Sequence, residues 1–479
     1  MRATFRQRLH PLVSLSMKYH PLYTHVLAGS ALAGFSLVSN LHADPFAFWI
    51  EDEELSASNI QDGAEYGGAI AVNDSYLLIS AREENAGTIS IDDTDTDEGA
   101  VYVYDPSTLN ELFVLLADDA ANDDEFGRSV GVDGSAAIVG AYQKDKTGTD
   151  QGSAYLFDLT TGNKTFTLVP SVEEDFSYFG SSVDVEGSYA IVGAPEEDAG
   201  GSLQGAAYVF NVSDGMEVYR LLPDDPEDFS QFGFSVAISG NYALVGAPLQ
   251  DETGSDRGTV YVFDLTTGDQ LGKLSPSVVN NDAYFGDAVA ADGGIAVVGA
   301  DYEDNGENEQ GAAYIFDIAT RMELFRITAD DAQDEDHFGW TVGINGDQCI
   351  IGAPDEDSNG GESGAAYIFD VTTGEQIQKI TPSDGDGNDR AGIGVAITDD
   401  FAYLGAEDKN VGTIVRGAAY VFAGTDLNPA LVALRAQLIA KAKRLKKKAN
   451  RYIKKDNRPR AQKLRKRAKK LIRKANLLY

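Results

Sequence analysis

The stretch "FGFSVAISGNYALVGAP", residues 232–248, decides the fold because the chain repeats its pattern. It contains an aromatic–glycine pair, alternating apolar residues, a Gly-Asn turn, a second apolar run and Gly-Ala-Pro. The glycine of the aromatic–glycine pair recurs at Gly67, Gly127, Gly180, Gly233, Gly286, Gly339 and Gly392, although the last copy is worn and has Ala391 before its glycine. The first step is 60 residues and every later step is 53, so the chain holds seven copies. A period this constant indicates a propeller, a β-solenoid or an array.

Each copy predicts four short strands. In the fourth copy these are "FSVAIS", "YALVGAP", "GTVYVFD" and "QLGKLSP", rich in Val, Tyr and Phe and bounded by Gly, Asp, Asn and Pro. Tight turns join the first two strands and the last two, as in hairpins. Four antiparallel strands repeated radially form a propeller blade, so we predict an all-β, seven-bladed β-propeller of four-stranded antiparallel blades.

The two ends of the repeat region predict how the ring closes. The seventh copy runs through "GAAYVF", residues 417–422, and then lacks a fourth strand. The segment "FWIEDEELSAS", residues 48–58, has the spacing of that missing strand relative to the next copy. We therefore expect it to complete blade seven and to leave no open sheet edge.

The repeats resemble FG-GAP repeats, the unit of the integrin α-subunit propeller and of many secreted bacterial proteins. The resemblance covers about residues 55 to 422 and rests on Phe-Gly followed by Gly-Ala-Pro, as in Phe232-Gly233 and Gly246-Ala247-Pro248. Copies two and five read "GAY" at 140 and "GAD" at 299 instead. The resemblance implies a propeller that binds ligands or mediates adhesion, often with calcium. It names no ligand, because a fold does not fix a function.

Charge divides the chain into three parts. Residues 1–43 carry four basic residues and no acid, residues 44–430 carry 14 basic and 75 acidic residues, and residues 431–479 carry 20 basic residues and one acid. The net charges of the last two parts are −61 and +19. We predict a signal peptide over 1–43, a propeller over 44–426 and a basic helical tail over 427–479.

The N-terminal part has the features of an export signal. Basic residues precede the apolar stretch "VLAGSALAGFSLVSNL" and a small residue, Ala43, suited to cleavage. A short membrane anchor is the alternative, although the stretch is shorter than the ~20 residues a span needs. Cys349 is the only cysteine, so no intrachain disulfide can form. We expect a secreted or cell-surface protein, of bacterial origin, with no transmembrane span in the mature chain.

Catalysis finds little support in the sequence. Of five histidines only His337 follows the signal, which excludes a multi-histidine zinc site, and His337 is expected to be a freely varying loop residue. Quinoprotein propellers, another resemblance, carry a tryptophan after the Thr-Gly segment, and Trp49 and Trp340 lie elsewhere. A polysaccharide hydrolase or lyase that uses paired carboxylates remains the alternative to a binding module.

The acidic loops are the candidate metal sites. Loops between the second and third strands and loops between blades should open on one face, which would be strongly negative. Calcium takes several carboxylate and carbonyl oxygens from such loops. Candidate ligands are Asp93, Asp95 and Asp97 in "DDTDTDEG", Asp384, Asp386 and Asn388 in "DGDGND", and one aspartate per 2–3 loop at Asp145, Asp198, Asp251, Asp304 and Asp357. For this last column of five, a local turn with its own backbone is the other interpretation.

The tail predicts a basic helical hairpin. Asn428 and Pro429 suit a helix start. Apolar stripes at three- and four-residue steps run from Leu431 to Tyr452 and from Ala461 to Leu478, and nearly all other positions are Lys or Arg. Such a surface suits attachment to an anionic partner, and export argues against nucleic acid. The sequence thus predicts a binding or adhesion module, with a protein or polysaccharide ligand on the acidic face.

Overall fold

A computed structural model describes residues 48–57, 60, 63–84, 97–251, 255–278, 280–304, 308–410 and 415–425, and single helical positions between 441 and 470. The chain divides after Asp44, and its first unit, with the predicted signal peptide, lies outside the described residues. Most of the basic tail also lies outside them. Its predicted hairpin therefore stays a prediction, although the described tail positions, such as Lys441 and Lys463, are helical and exposed.

Seven four-stranded antiparallel sheets form the second unit. Blade one contains β2 (Tyr66–Val72), β3 (Leu77–Ala81), β4 (Ala100–Asp105) and β5 (Asn110–Leu115). Blade two contains β6 (Phe126–Asp133), β7 (Ala136–Ala141), β8 (Ser153–Asp158) and β9 (Asn163–Leu168). Blade three contains β10 (Val183–Glu186), β11 (Tyr189–Ala194), β12 (Ala206–Asn211) and β13 (Glu217–Leu221). Blade four contains β14 (Val236–Ser239), β15 (Tyr242–Ala247), β16 (Thr259–Asp264) and β17 (Gln270–Leu274).

The remaining blades repeat this order. Blade five contains β18 (Val289–Asp292), β19 (Ile295–Ala300), β20 (Ala312–Asp317) and β21 (Met322–Ile327). Blade six contains β22 (Val342–Asn345), β23 (Gln348–Ala353), β24 (Ala365–Asp370) and β25 (Gln376–Ile380). Blade seven contains β26 (Val395–Ile397), β27 (Phe401–Ala406), β28 (Ala418–Thr425) and the N-terminal β1 (Phe48–Leu55). The predicted seven-bladed fold is confirmed.

The closing strand lies where the sequence predicts it. β1 pairs antiparallel with β28, from Phe48 opposite Thr425 to Leu55 opposite Ala419. The Trp49 backbone N–H donates to the side-chain oxygen of Gln378 at 2.7 Å, and the Gln378 amide donates back to the Trp49 carbonyl at 2.8 Å. Blade six therefore holds the closing strand of blade seven, and no outer edge of that blade is left without its fourth strand.

Apolar runs in the two middle strands of each blade form the core. In β15 and β16 nearly every residue is buried, because both sheet faces are covered by neighbouring blades. The aromatic residue of each aromatic–glycine pair packs in this core. Phe232, for example, contacts the rings of Tyr261 and Phe263 at centroid distances of 5.3 and 5.9 Å. Burial of an apolar side chain of this size stabilises the folded state by on the order of 2–3 kcal/mol.

The glycines of the motif let neighbouring blades approach closely. Gly67 has φ of 106°, a left-handed conformation that favours glycine. A Cβ on Gly405 in blade seven would overlap the carbonyl oxygen of Gly67 in blade one. The same overlap recurs between Gly193 and Gly233 of blades three and four. The repeated glycines are therefore contact points between blades, and the ring closes with the contact that it uses elsewhere.

Candidate functional site

The first strands of the seven blades surround a central channel of about 700 Å³. Each blade lines it with one apolar residue at an equivalent position: Ile70, Val130, Val183, Val236, Val289, Val342 and Val395. The 1–2 and 3–4 hairpins open on one face of the disc, and the 2–3 loops and inter-blade loops open on the other, since successive strands are antiparallel. We call this second face the loop face, and its central opening the channel mouth.

Polar and aromatic side chains differ from blade to blade at the channel mouth. They occupy four repeated positions: the residue before the aromatic–glycine pair, the residue after it, and the first and second residues after Gly-Ala. The main mouth residues are Arg82, Arg128, Tyr284, Asp287, Asp301, Tyr302, Trp340, Arg390 and Glu407.

Two arginines of the mouth are held by carboxylates. Arg82 pairs with Glu65 and lies 3.4 Å from Glu407. Arg390 donates from Nε to Asp355 at 3.1 Å and stacks over the Trp340 ring at 5.5 Å. Burial raises the pKa of Glu407 to about 6, although Arg82 favours its ionised form. This part of the mouth is therefore a rigid network of ion pairs.

An aromatic cluster continues the mouth beside this network. The Tyr284 and Tyr302 rings lie 4.8 Å apart, and Tyr302 lies 4.9 Å from the ring of His337. His337 Nδ1 lies 2.7 Å from Asp355 Oδ2, the carboxylate that also binds Arg390. His337 lies in an inter-blade loop, as expected, where this hydrogen bond and two ring contacts hold it.

Two carboxyl groups, those of Asp287 and Asp301, line the channel close enough for Asp287 to influence the pKa of Asp301. Asp301 is 0% exposed, and neither of its carboxylate oxygens has a hydrogen-bond partner. Burial raises the pKa of Asp301 well above its usual range, and Asp287 raises it further. Burial likewise raises the pKa of Asp287 to about 7, although Arg128 lowers it. Both shifts favour the protonated form of these carboxyl groups.

Two phenylalanines on the loop face adopt a backbone conformation that bulky residues avoid. Phe176 and Phe229 have φ of 61° and 66°, and they are 50% and 56% exposed. They occupy equivalent positions of neighbouring inter-blade loops, where blade seven has Asn388 at φ of 67°. A large exposed apolar side chain in the left-handed region costs on the order of 1–3 kcal/mol, and such strain concentrates at functional sites.

The predicted column of loop aspartates makes backbone hydrogen bonds. Asp145, Asp198, Asp251, Asp304 and Asp357 each accept, through Oδ1, the backbone N–H of the residue five positions later, at 2.7 to 2.9 Å. Those donor residues all have positive φ, between 46° and 57°. The geometry is that of the local-turn interpretation, and calcium binding by this column stays a prediction.

A lysine occupies the centre of the predicted "DGDGND" site. Lys409 Nζ lies 2.7 Å from Asp389 Oδ2 and 3.8 Å from Asp384 Oδ1. Asp384 also accepts from the Tyr420 hydroxyl at 3.0 Å, while the Asn388 amide donates to Glu362 at 3.2 Å. Asp386 offers its backbone N–H to Asp389. An ammonium group thus binds Asp389 and lies close to Asp384, and calcium binding by Asp384, Asp386 and Asn388 stays a prediction.

The structure describes only one of the three aspartates of the third predicted calcium site. Asp93 and Asp95 lie outside the described residues, and Asp97 is described with φ of 31°. Across the part of the chain that the structure describes, no three His, Cys, Asp or Glu side chains come together as a metal site. In the same part of the chain, no helix has the length and apolar character needed to span a membrane.

The fold and the channel mouth together define a propeller-type binding module. A family model described as FG-GAP repeat matches residues 49–104, 110–157, 163–210, 216–263, 269–316, 322–369 and 375–422. The chain therefore belongs to the FG-GAP repeat family. It is also similar to integrin alpha-11 from Mus musculus, at 30% identity over 214 residues, which cover 40% of this chain and 17% of that protein. The chain thus spans less than a fifth of the length of that relative.

The channel mouth was not predicted from the sequence, although one signal was present. Asp301 stands where Pro195, Pro248 and Pro354 complete Gly-Ala-Pro, so it departs from the motif. No sequence feature indicates that Arg82, Arg128 and Arg390 converge, because only ring closure brings them together.

Proposed function

We propose that the protein is an extracellular or cell-surface binding and adhesion module whose ligand contacts the loop face. The observation that carries this proposal is the exposed pair Phe176 and Phe229, held at positive φ in inter-blade loops of this face. Neither ring is needed for the turn, because blade seven makes the same turn with Asn388. Exposed aromatic residues retained at a cost to the fold are typical of interaction surfaces.

The ligand class that we propose is a protein or a polysaccharide. The loops of this face carry most of the acidic residues of the propeller, whose net charge is −61. Such charge repels anionic polymers and favours neutral or basic ligands. The rings supply contact area, while the fixed charges around the mouth orient the ligand.

We further propose that the tail attaches the protein to an anionic surface. Its last 49 residues carry a net charge of +19, and its described basic side chains are exposed. A dense cationic helix binds anionic polysaccharide or lipid head groups by charge. Calcium binding is also part of the proposal. Its best candidate is the loop of Asp93, Asp95 and Asp97, because one oxygen of each aspartate of the column accepts a backbone N–H and Lys409 lies in the loop of Asp384.

The loop-face proposal is tested with a double variant, Phe176→Asn and Phe229→Asn. Asparagine tolerates the left-handed region, so the variant should fold with unchanged or higher thermal stability. Retention of the protein would be measured on immobilised gelatin, neutral mannan and anionic alginate, in enough salt to screen the tail. We expect retention of the wild type on gelatin or mannan and at least a severalfold loss in the variant.

The matched control is Asp269→Arg, at an exposed position of the 3–4 hairpin of blade four on the opposite face. This control should keep wild-type retention. Equal retention of the double variant and the wild type would show that the loop-face phenylalanines do not bind the ligand.

A further inference from the structure

Asp301 has hydrogen-bonding capacity that the fold does not use. Its side chain is 0% exposed, and neither carboxylate oxygen has a hydrogen bond of good geometry, although the backbone N–H groups of Asp301 and Tyr302 are near enough to lower its pKa. A buried polar group without a partner costs free energy, and the cost is larger for a charged group. Such groups in folded proteins call for a specific explanation.

The other repeats show that no acid is needed at this position. The residue after Gly-Ala is Pro195, Pro248 or Pro354 in three other blades, which have the same strand pairing. Asp287, its neighbour in the channel, stands where blade four has Phe234. The two carboxyl groups are therefore additions to the frame, and both line the central channel.

The groups around the pair are aromatic rings and a guanidinium. The Tyr284 and Tyr302 rings lie on one side of the mouth, and Trp340 lines the same channel. Arg128 is exposed, stacks over the Tyr142 ring at 5.4 Å and is close enough to lower the pKa of Asp287. The mouth thus combines flat aromatic rings with a guanidinium group that can donate two hydrogen bonds and carboxyl groups that can accept them.

We propose that the channel mouth binds a saccharide, with vicinal hydroxyl groups on Asp287, Asp301 and Arg128 and an apolar ring face against Trp340 or Tyr302. Hydroxyl groups satisfy carboxylate oxygens and guanidinium N–H groups alike, whereas a cation satisfies only the former. A channel of about 700 Å³ lies within the usual size of a ligand pocket. The inference rests on the loop face being the ligand face, and it names the class of ligand.

The two tryptophans of the chain make the test specific. Trp49 is 2% exposed in β1, and Trp340 lines the channel. In a Trp49→Phe background, the remaining fluorescence reports on the channel mouth alone. Linear oligosaccharides of glucose, mannose, N-acetylglucosamine, xylose and galacturonic acid would be titrated, with spermidine and calcium chloride as cation probes.

We expect at least one oligosaccharide to shift the Trp340 emission with saturation. Asp301→Asn should weaken that binding by about tenfold or more, the effect of losing one hydrogen bond to the ligand. The same variant should melt at the same or a higher temperature, because it removes an unpartnered buried carboxylate. If Asp301 had only a structural role, Asp301→Asn would lower the melting temperature instead.

Three results would overturn the saccharide inference. They are no change in Trp340 emission with any oligosaccharide, oligosaccharide binding that Asp301→Asn leaves unchanged, or saturable emission shifts with spermidine or calcium alone. The Phe176 and Phe229 variant separates this failure from failure of the loop-face proposal. If that variant loses retention on gelatin while every oligosaccharide is silent, the loop face binds a protein and only the saccharide inference falls.

Discussion

Lys144 Nζ lies 2.7 Å from Asp124 Oδ2 in the interior of blade two, where both side chains are buried. In blade five, Glu303 occupies the position equivalent to Lys144. Its basic partner is Arg326, which lies on the fourth strand of the blade. Blades seven and three repeat these two arrangements. These blades therefore place either a base or an acid at the same loop position and draw its partner from different elements, the preceding inter-blade loop in one case and the fourth strand in the other.

Breaking the pair of blade two should be costly. In Lys144→Gln, Asp124 would keep its backbone partner, the N–H of Ala121, but would lose its cation. Removal of one member of a buried pair destabilises a protein by about 3–5 kcal/mol. Adding Asp124→Ser should restore most of the loss, because blade four carries Gln250 and Ser230 at these positions. Urea unfolding checks both variants, and a double variant as unstable as the single one would contradict the argument.

Blade six predicts a pH dependence, because it has both acids and one lysine. Lys379 Nζ binds Glu356 and Asp331, each at 2.7 Å, which leaves Asp336 without an ammonium partner. Burial, with a smaller contribution from the nearby Glu356, raises the pKa of Asp336 to about 6. The folded protein therefore binds more protons than the unfolded chain between pH ~4 and ~6, so this group costs stability as pH rises through that window.

The variant Asp336→Asn should remove this cost. It should be more stable than the wild type at pH 8 by about 2–3 kcal/mol, from a pKa difference of about two units. Near pH 4 the two proteins should be equally stable, because the wild-type carboxyl group is then protonated. Melting curves at the two pH values measure the difference. A variant equally stable relative to the wild type at both pH values would show that Asp336 does not titrate in this window.

The repeat itself made the fold predictable, and the same regularity hid the site. The 53-residue step and the spacing of residues 48–58 suffice for seven blades and for the closing strand. Equivalent acidic residues look alike in sequence, yet Asp357 bonds its own loop, whereas Asp301 is buried without a partner. Whether an acid binds a backbone N–H, a lysine or nothing depends on side chains of other strands and blades, which no local pattern encodes.

Ring closure by β1 predicts a clear effect of N-terminal truncation. Deleting residues through 59 removes the partner of β28 and the two hydrogen bonds between Trp49 and Gln378. The exposed edge should cause aggregation and a lower melting temperature. The control protein begins at residue 48 and keeps the strand. Size-exclusion chromatography and melting curves compare the two, and a monomer of unchanged stability after the longer deletion would refute the role of β1.

The calcium hypothesis is tested at its best candidate, the loop of Asp93, Asp95 and Asp97. Calcium bound in that loop would add stability by mass action, beyond the screening of an acidic propeller. We expect the melting temperature to rise more in millimolar calcium than in sodium at equal ionic strength. The excess should vanish in Asp93→Asn/Asp95→Asn and persist in Asp357→Asn, whose carboxylate binds a backbone N–H. Equal shifts with the two ions would leave screening as the whole effect.

The basic tail predicts salt-dependent attachment. A charge of +19 attracts anionic surfaces within a Debye length of ~8 Å at physiological salt, but it also attracts the propeller, which carries −61. The full chain would be compared with a chain ended at Thr425, where β28 ends, on anionic lipid vesicles and on alginate across a salt series. We expect only the full chain to bind, with binding that falls steeply as salt rises. If neither protein binds at low salt and the full chain alone self-associates, the tail docks on the propeller of another copy instead of on a surface.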